Sequence, residues 1–474
     1  MVTSAKIRSS LGVPSGLLDF RACLLDSDSD HESVHRKIEG DAVAKGTILV
    51  LGTSGMPSWG RDQMERLSGQ ARRRDLRLVG ADTATKLAQA TPQERAVFDE
   101  TVALDVQDPQ ACRAWATGRT GFDAVVTIAE LSVLPVAEIA RELGLPGNDP
   151  EAVRGIRYKD RCRQLLRDAG FPQPESAVCH GLEEARRFVE RTAPGPWVVK
   201  PRDGLASIGV CLVREPEDLS AAVAQASSAS LVEEVPQNQA AEPTSDQAHV
   251  TDEELRQTAP FLVETHVSGT EYSAEGVFIE GAPLVLGLTR KEVTSGFIST
   301  SQRMPSGLDE ATASAARDTV TRALTETGIT HGAFHVELWL TEHGVVLGEF
   351  HIRTGGDFIH ALVEHTRPGL EFYGMHLDDL LGNAPGLVPP VTRAARVQFL
   401  FPPTGRLRAV HGWDELAAHP AVLNADLTVS PGDIIPPTAD SFTRAGVFVV
   451  GGDTAEDVDA LADSLKAQLV FETE

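Results

Sequence analysis

Glu349, His351 and Arg353 alternate along the stretch LGEFHIRTGGDF (347–358), so on an extended backbone they share one side. A buried strand has no use for a carboxylate, an imidazole and a guanidinium together. Either Glu349 and Arg353 form an ion pair on a solvated face, or the three hold something multiply charged. A second carboxylate lies just upstream. In GAFHVELWL, Phe334, Val336, Leu338 and Leu340 point one way, and His335, Glu337 and Trp339 the other. A hairpin loop with an odd number of residues, such as 341–345, sets Glu337 opposite Glu349; a four-residue loop sets them on opposite faces. Two unpartnered carboxylates facing each other across a ladder repel. A divalent cation between them reverses the sign, and oxygen ligands of this kind suit Mg²⁺, which keeps water and phosphate oxygens as its other ligands.

A candidate anion site precedes them. In PWVVKPRDGLASIGVCLV (196–213), Lys200 ends an apolar strand and runs into a loop with Gly204, Ser207 and Gly209. Glycines let backbone N–H groups close around an anion, and the lysine adds a point charge. The plainer alternative is an ordinary turn between two strands.

These residues need a frame. GTILVLGTSG (46–55), LRLVGAD and FDAVVTI read as buried strands, and ELSVLPVAEIARELGL reads as a helix. Alternating strands and helices imply a parallel α/β unit over 46–150. LGTSGM is half a phosphate loop, without the glycine pattern of a dinucleotide site. YKDRCRQLLRDAG (158–170) is a helix stopped by Gly170. FLVETHVSGTEYSAEGVFI (261–279) is strand, connector, strand. Residues 151–395 form the central domain, with a polar insertion at 236–252 and a lid loop at 291–305 pivoting on Gly296. From 396 a C-terminal lobe ends in strand, turn and helix, capped by Asp453 or Thr454. Residues 1–45 form a polar, poorly ordered extension.

Composition sets the outer bounds. The 474 residues suit about three domains. A net charge of −25 argues against nucleic acid or an anionic membrane as partner. The five cysteines are dispersed, as expected of reduced thiols in a cytoplasm. No leader is evident, and no apolar run approaches the roughly 20 residues that span a bilayer.

Lys159, Lys200 with its glycine loop, LVETHVSGTEYS, HVE and GEFHIRTGG occur in that order. The set resembles the ATP-grasp superfamily of carboxylate–amine ligases from about residue 47 to the end. TIAELSVLPVAEIARELGLPGN, RYKDRCRQLLRDAGFPQPE and FLFPPTGRL are similar to stretches of the L-amino-acid (dipeptide) ligases. The resemblance implies an α/β (α+β-lobed) ATP-grasp fold with a Rossmann-like pre-ATP-grasp domain and a small C-terminal lobe. It implies ATP between two lobes, with Lys159 and Lys200 on its phosphates and Ser207 and Gly209 in the covering loop. Glu264, Thr265, His266 and Val267 match the adenine connector, and Glu271 the ribose carboxylate. Glu337 and Glu349 match the Mg²⁺ ligands, Mn²⁺ being the softer substitute. Arg353, Lys291 and His351 are the catalytic candidates. His351 departs from the family's asparagine and could face phosphate, substrate or metal. Glu130 is either a substrate-amino contact or a helix-start carboxylate. Ser299, Gln302, Arg303, Gly355 and Gly356 are implied in substrate binding. Ser299 and Gln302 stand where the dipeptide ligases carry a glutamate and a histidine, which points to an acid other than a plain α-amino acid. The implied reaction joins a small carboxylic acid to an amine or amino acid in a cytoplasmic homodimer, releasing ADP and phosphate through an acyl phosphate. Bicarbonate activation, or ATP binding without catalysis, are the alternatives.

Overall fold

The structure is a computed structural model and describes residues 45–229 and 260–474. Residues 1–44 of the extension and the whole insertion 236–252 lie outside the described residues.

β1 (Gly46–Leu51), β2 (Leu76–Asp82), β3 (Glu100–Ala103) and β4 (Ala124–Thr127) form a parallel sheet in the order β3-β2-β1-β4. Ile48, Val50 and Leu78 bury one face; Leu49, Leu51 and Val79 bury the other. This is the two-sided pattern of a parallel sheet. The turn after β1 is closed to outside anions by the chain's own carboxylates. Asp82 accepts from the N–H groups of Thr53 and Ser54, and Glu94 from those of Gly55 and Met56. After β4 a single turn, Glu130–Ser132, leads into the helix Val133–Leu143, which stops at left-handed Gly144.

The helix Lys159–Asp168 buries Cys162 and Leu166. It precedes a small antiparallel sheet of β5 (Ser176–Cys179), β6 (Trp197–Pro201), β7 (Cys211–Val213) and β8 (Phe261–Thr265), in the order β5-β8-β6-β7. β9 (Thr270–Ile279), β10 (Ala282–Val293), β11 (Ser299–Met304), β12 (Ala333–Thr341), β13 (Gly344–His351) and β14 (Ala394–Leu400) follow. The chain ends with β15 (Gly405–His411), β16 (Val422–Leu427), β17 (Ile434–Ile435), β18 (Gly446–Gly452) and β19 (Val470–Thr473). One sheet of eight runs β13-β12-β9-β10-β11-β14-β18-β16. The proposed boundary at 396 therefore falls inside a strand of a continuous sheet. β15, β17 and β19 make a three-stranded sheet, and β19 is a closing strand the sequence pattern did not reveal. Thr454, not Asp453, caps the last helix, Ala455–Gln468, accepting from the Asp457 N–H.

Two local expectations change. The stretch 291–305 is mostly a hairpin, because Lys291 pairs with Gln302 in the ladder β10–β11. The left-handed residue in its turn is Phe297 (φ 63°), not Gly296. The β12–β13 loop holds only Glu342 and His343, an even number that by itself would separate the two carboxylates. A bulge restores them to one face: Leu338 pairs with Leu347, but Val336 pairs with Phe350. The extra residue is Gly348, where a Cβ would lie 2.9 Å from the Glu337 carbonyl oxygen.

Candidate active site

The site forms where the helix Lys159–Asp168, β6, β10, β12 and β13 meet. Lys159 Nζ lies 3.2 Å from Glu349 and donates to the Gly204 carbonyl at 2.8 Å. Lys200 Nζ lies 3.9 Å from Glu349 and 2.7 Å from Glu264. Across the site Lys291 bridges Glu337 (2.5 Å) and Glu271 (2.9 Å). Burial pushes the Glu349 carboxyl up, but Lys159 and Lys200 outweigh it and hold the group below its ordinary value. The same contest at Glu337 is won by Lys291 and His335, which keep it well below the usual range. Glu271 goes the other way: burial and the neighbouring Glu337 charge raise it against the pull of Lys291. Lys291, buried between two carboxylates, is raised above the usual lysine value despite its desolvation. These carboxylates and lysines are charged partners of one another.

Arg353 and His351 converge on Glu130, in the turn that follows β4. Glu130 Oε2 is 2.8 Å from Arg353 Nε and 2.9 Å from His351 Nδ1. Burial raises the Glu130 carboxyl, yet His351 and Arg353 hold it well below the ordinary range. The other nitrogen of His351 stands 3.8 Å from Glu349. Gly355 is placed by packing: a Cβ there would meet His335 at 3.1 Å and Ile359 at 3.0 Å. Gly356 lies beside Trp59.

Further residues take these places. The Glu264 carboxylate is turned inward from the connector. It is 4 % exposed, lies 2.6 Å from Arg163 and 2.7 Å from Lys200, and is drawn down to about 2 by them against its burial. Of the residues 264–267, His266 faces Phe297, with ring centroids 6.2 Å apart. Ser207 donates to the Phe297 carbonyl at 3.1 Å, tying the glycine loop to the hairpin turn. Gly209 (φ 72°) is needed for close packing, since a Cβ would come 2.5 Å from Ala229. Arg303 is turned away from the group, because alternation sends it to the face opposite Gln302. There it binds Asp459 of the last helix and the Ser306 carbonyl. Ser299 and Gln302 bond each other at 3.3 Å.

The motifs gave no role to three participants. His335 Nδ1 lies 2.9 Å from Glu275, and His335 Nε2 lies 3.6 Å from Glu337. Glu275 is buried and also accepts from Ser273 and Thr289. Burial lowers the His335 imidazole, but Glu275 carries it up to about 9. Arg163 is the third, pinned under Glu264 and donating to the Leu347 carbonyl at the start of the bulge. The HVE sequence placed His335 on the polar face; nothing local marked Glu275 or Arg163.

Comparison with known proteins agrees with this architecture. The ATP-grasp N-terminal domain model matches residues 71–147, the ATP-grasp domain model 193–361, and the L-amino acid ligase C-terminal domain 2 model 398–474. The protein y4rH of Sinorhizobium fredii is 28% identical over 437 residues, 89% of this chain and 82% of that one. An alanine–anticapsin ligase of Bacillus subtilis strain 168 is 27% identical over 232 residues, 46% of each chain, so the match spans about half the length of that relative. The crystal structure of an L-amino acid ligase from Bacillus licheniformis superposes with a TM-score of 0.71 at 20% identity, covering 91% of this chain and all of the other. No helix among the described residues is long and apolar enough to cross a membrane. Three domain models matched in order along a chain of this topology give it an ATP-grasp fold, with an ATP-grasp N-terminal domain before it and an L-amino acid ligase C-terminal domain after it.

Proposed function

We propose that the protein is an ATP-dependent carboxylate–amine ligase that works through an acyl phosphate and releases ADP and phosphate. The observation that carries the reading is the clustering of charge from separate elements: Lys159 and Lys200 on Glu349, Glu337 across the bulge on Lys291, and Arg353 joined through Glu130 to His351. The L-amino acid ligase model matched at 398–474 favours an amine over bicarbonate as acceptor.

The residues fit ATP with Mg²⁺. Glu337 and Glu349 are hard oxygen donors brought to one face by the bulge at Gly348. No group of three or more His, Cys, Asp or Glu suited to a metal occurs among the described residues. That suits an ion completed by phosphate and water rather than a closed protein cage. Glu337 and Glu349 would hold the ion, which when bound neutralises charge on the phosphate oxygens. Lys159 and Lys200 neutralise further oxygens. Arg353, aimed by Glu130, steadies the transferred phosphoryl group. An oxygen of the substrate carboxylate attacks the γ-phosphorus and ADP departs. The amine lone pair then forms the bond to the acyl carbon, phosphate leaves with the C–O electron pair, and the nitrogen gives up one proton to water. The protein's contribution is position and charge.

A panel of carboxylic acids and amines, read by ADP release, tests the reading. Release that requires both partners supports it. ADP release with bicarbonate and no amine would replace it with a carboxylase.

A further inference from the structure

Beyond the phosphate-binding side, a second polar cluster joins the hairpin, the loop after Arg353 and the C-terminal lobe. Asp357 accepts from Arg444 Nη1 at 2.8 Å on one oxygen and from Gln302 Nε2 at 3.2 Å on the other. Arg444 stacks on Phe399, its guanidinium carbon 3.7 Å from the ring centroid. Taken alone, this is a latch between the C-terminal lobe and the loop. Two observations exceed a latch. Gln302 is 2 % exposed and its Oε1 has no partner, and Arg444 Nε is also buried without one. Buried polar atoms are rarely left unpaired, and each such orphan calls for a partner, a bound ligand being one. Asp357 itself is a quarter exposed, so the cluster has an open side. It also adjoins the catalytic residues, since Gln302 pairs across the ladder with Lys291, the partner of Glu337.

A guanidinium and an amide on the two oxygens of one carboxylate, the amide with a free acceptor oxygen, complement a ligand with one negative and one N–H-bearing end. Resting on the ligase reading above, we propose that Gln302, Asp357 and Arg444 form the receptor for the amine substrate, so that Gln302 serves the amine rather than the acid to which the resemblance assigns its position. That substrate is an amino acid, its carboxylate on Arg444 and its nitrogen donating to Asp357 and Gln302 Oε1. Neither Asp357 nor Arg444 belongs to the motifs that mark the nucleotide site.

The test compares each proteinogenic L-amino acid with its own carboxamide as the amine, using any acid that supports ADP release with hydroxylamine. Hydroxylamine carries no carboxylate, so it reports acid activation separately from the amine receptor. We expect wild-type kcat/KM to favour the amino acid over its carboxamide by about tenfold or more, the effect of one charge-assisted hydrogen bond. Arg444→Gln should bring that ratio close to one, mainly through the KM of the amino acid. Gln302→Met, which keeps the volume, should raise the KM of both forms. Hydroxamate formation without any carboxylate preference, or an unchanged ratio in Arg444→Gln, overturns the receptor alone. Absence of ADP with every acid and hydroxylamine overturns the ligase reading and the receptor with it.

Discussion

Glu130 Oε2 stands 2.9 Å from His351 Nδ1, joining the N-terminal parallel sheet to the end of β13 in the eight-stranded sheet. The same oxygen lies 2.8 Å from Arg353 Nε. One carboxylate thus pairs with both the imidazole and the guanidinium that the proposed function sets beside the transferred phosphoryl group. It is anchored in turn by its own backbone, whose carbonyl accepts from Arg157 at 3.0 Å.

Glu130→Gln should therefore act on catalysis more than on folding. The amide removes the charge that aims Arg353, and we expect kcat to fall by about 10²-fold or more, as misplacement around a reacting centre does. Steady-state ADP release beside a melting curve checks this; an unchanged kcat in a well-folded variant removes Glu130 from the account.

Glu349→Gln and Arg353→Ala should each lower turnover by about 10³-fold or more while the protein stays folded, because each removes charge stabilisation from phosphoryl transfer. Chelation of divalent metal with EDTA should stop ADP release, and added Mg²⁺ should restore it. Near-normal turnover by either variant contradicts the site assignment.

Gly348→Ala tests the bulge. The new Cβ would press on the Glu337 backbone and side chain at 2.9 to 3.0 Å, and relief requires the strands to part or lose the extra residue. Either outcome separates Glu337 from Glu349. A rise in the Mg²⁺ concentration needed for half-maximal rate, with a lowered Tm, is expected; wild-type values for both would show that the bulge is not needed.

Glu264→Gln should be among the most destabilising single changes in the chain. It strands the buried charges of Arg163 and Lys200, and breaking a buried pair in this way costs about 3–5 kcal/mol. The wild-type carboxyl falls from an ordinary 4.5 to about 2 on folding. A depressed carboxyl stabilises fully above its unfolded value, and that contribution drains away as pH falls towards the folded one. The stability gap between wild type and variant, from urea midpoints, should be constant above pH 5 and shrink between about 4.5 and 2. A gap independent of pH across that window would contradict the buried ion pairs.

Much of the site was legible in the sequence because it is written in strand alternation. Phe334, Val336 and Leu338 are fully buried, and His335 and Glu337 lie on the other face, as period two requires. What stayed hidden depends on non-local geometry. The bulge at Gly348 decides whether the two glutamates meet, and a two-residue turn read alone points to the wrong face. The linear motif around Glu264 says nothing of its carboxylate's ion pair with Arg163, which arises only when a helix packs against the sheet. Arg303 sits one residue from Gln302, and the pleat alone separates their fates. Asp357 follows the paired glycines of RTGGDF, but its partner Arg444 lies 87 residues away.

The central claim is transfer of a carboxylate oxygen to phosphorus within this cleft. The most direct measurement supplies the acid labelled with ¹⁸O in both carboxylate positions, with ATP, Mg²⁺ and the amine, and follows the label by mass spectrometry. The account predicts ADP, one ¹⁸O in the released phosphate and one in the amide. AMP as the nucleotide product, or phosphate free of ¹⁸O while amide forms, would contradict it.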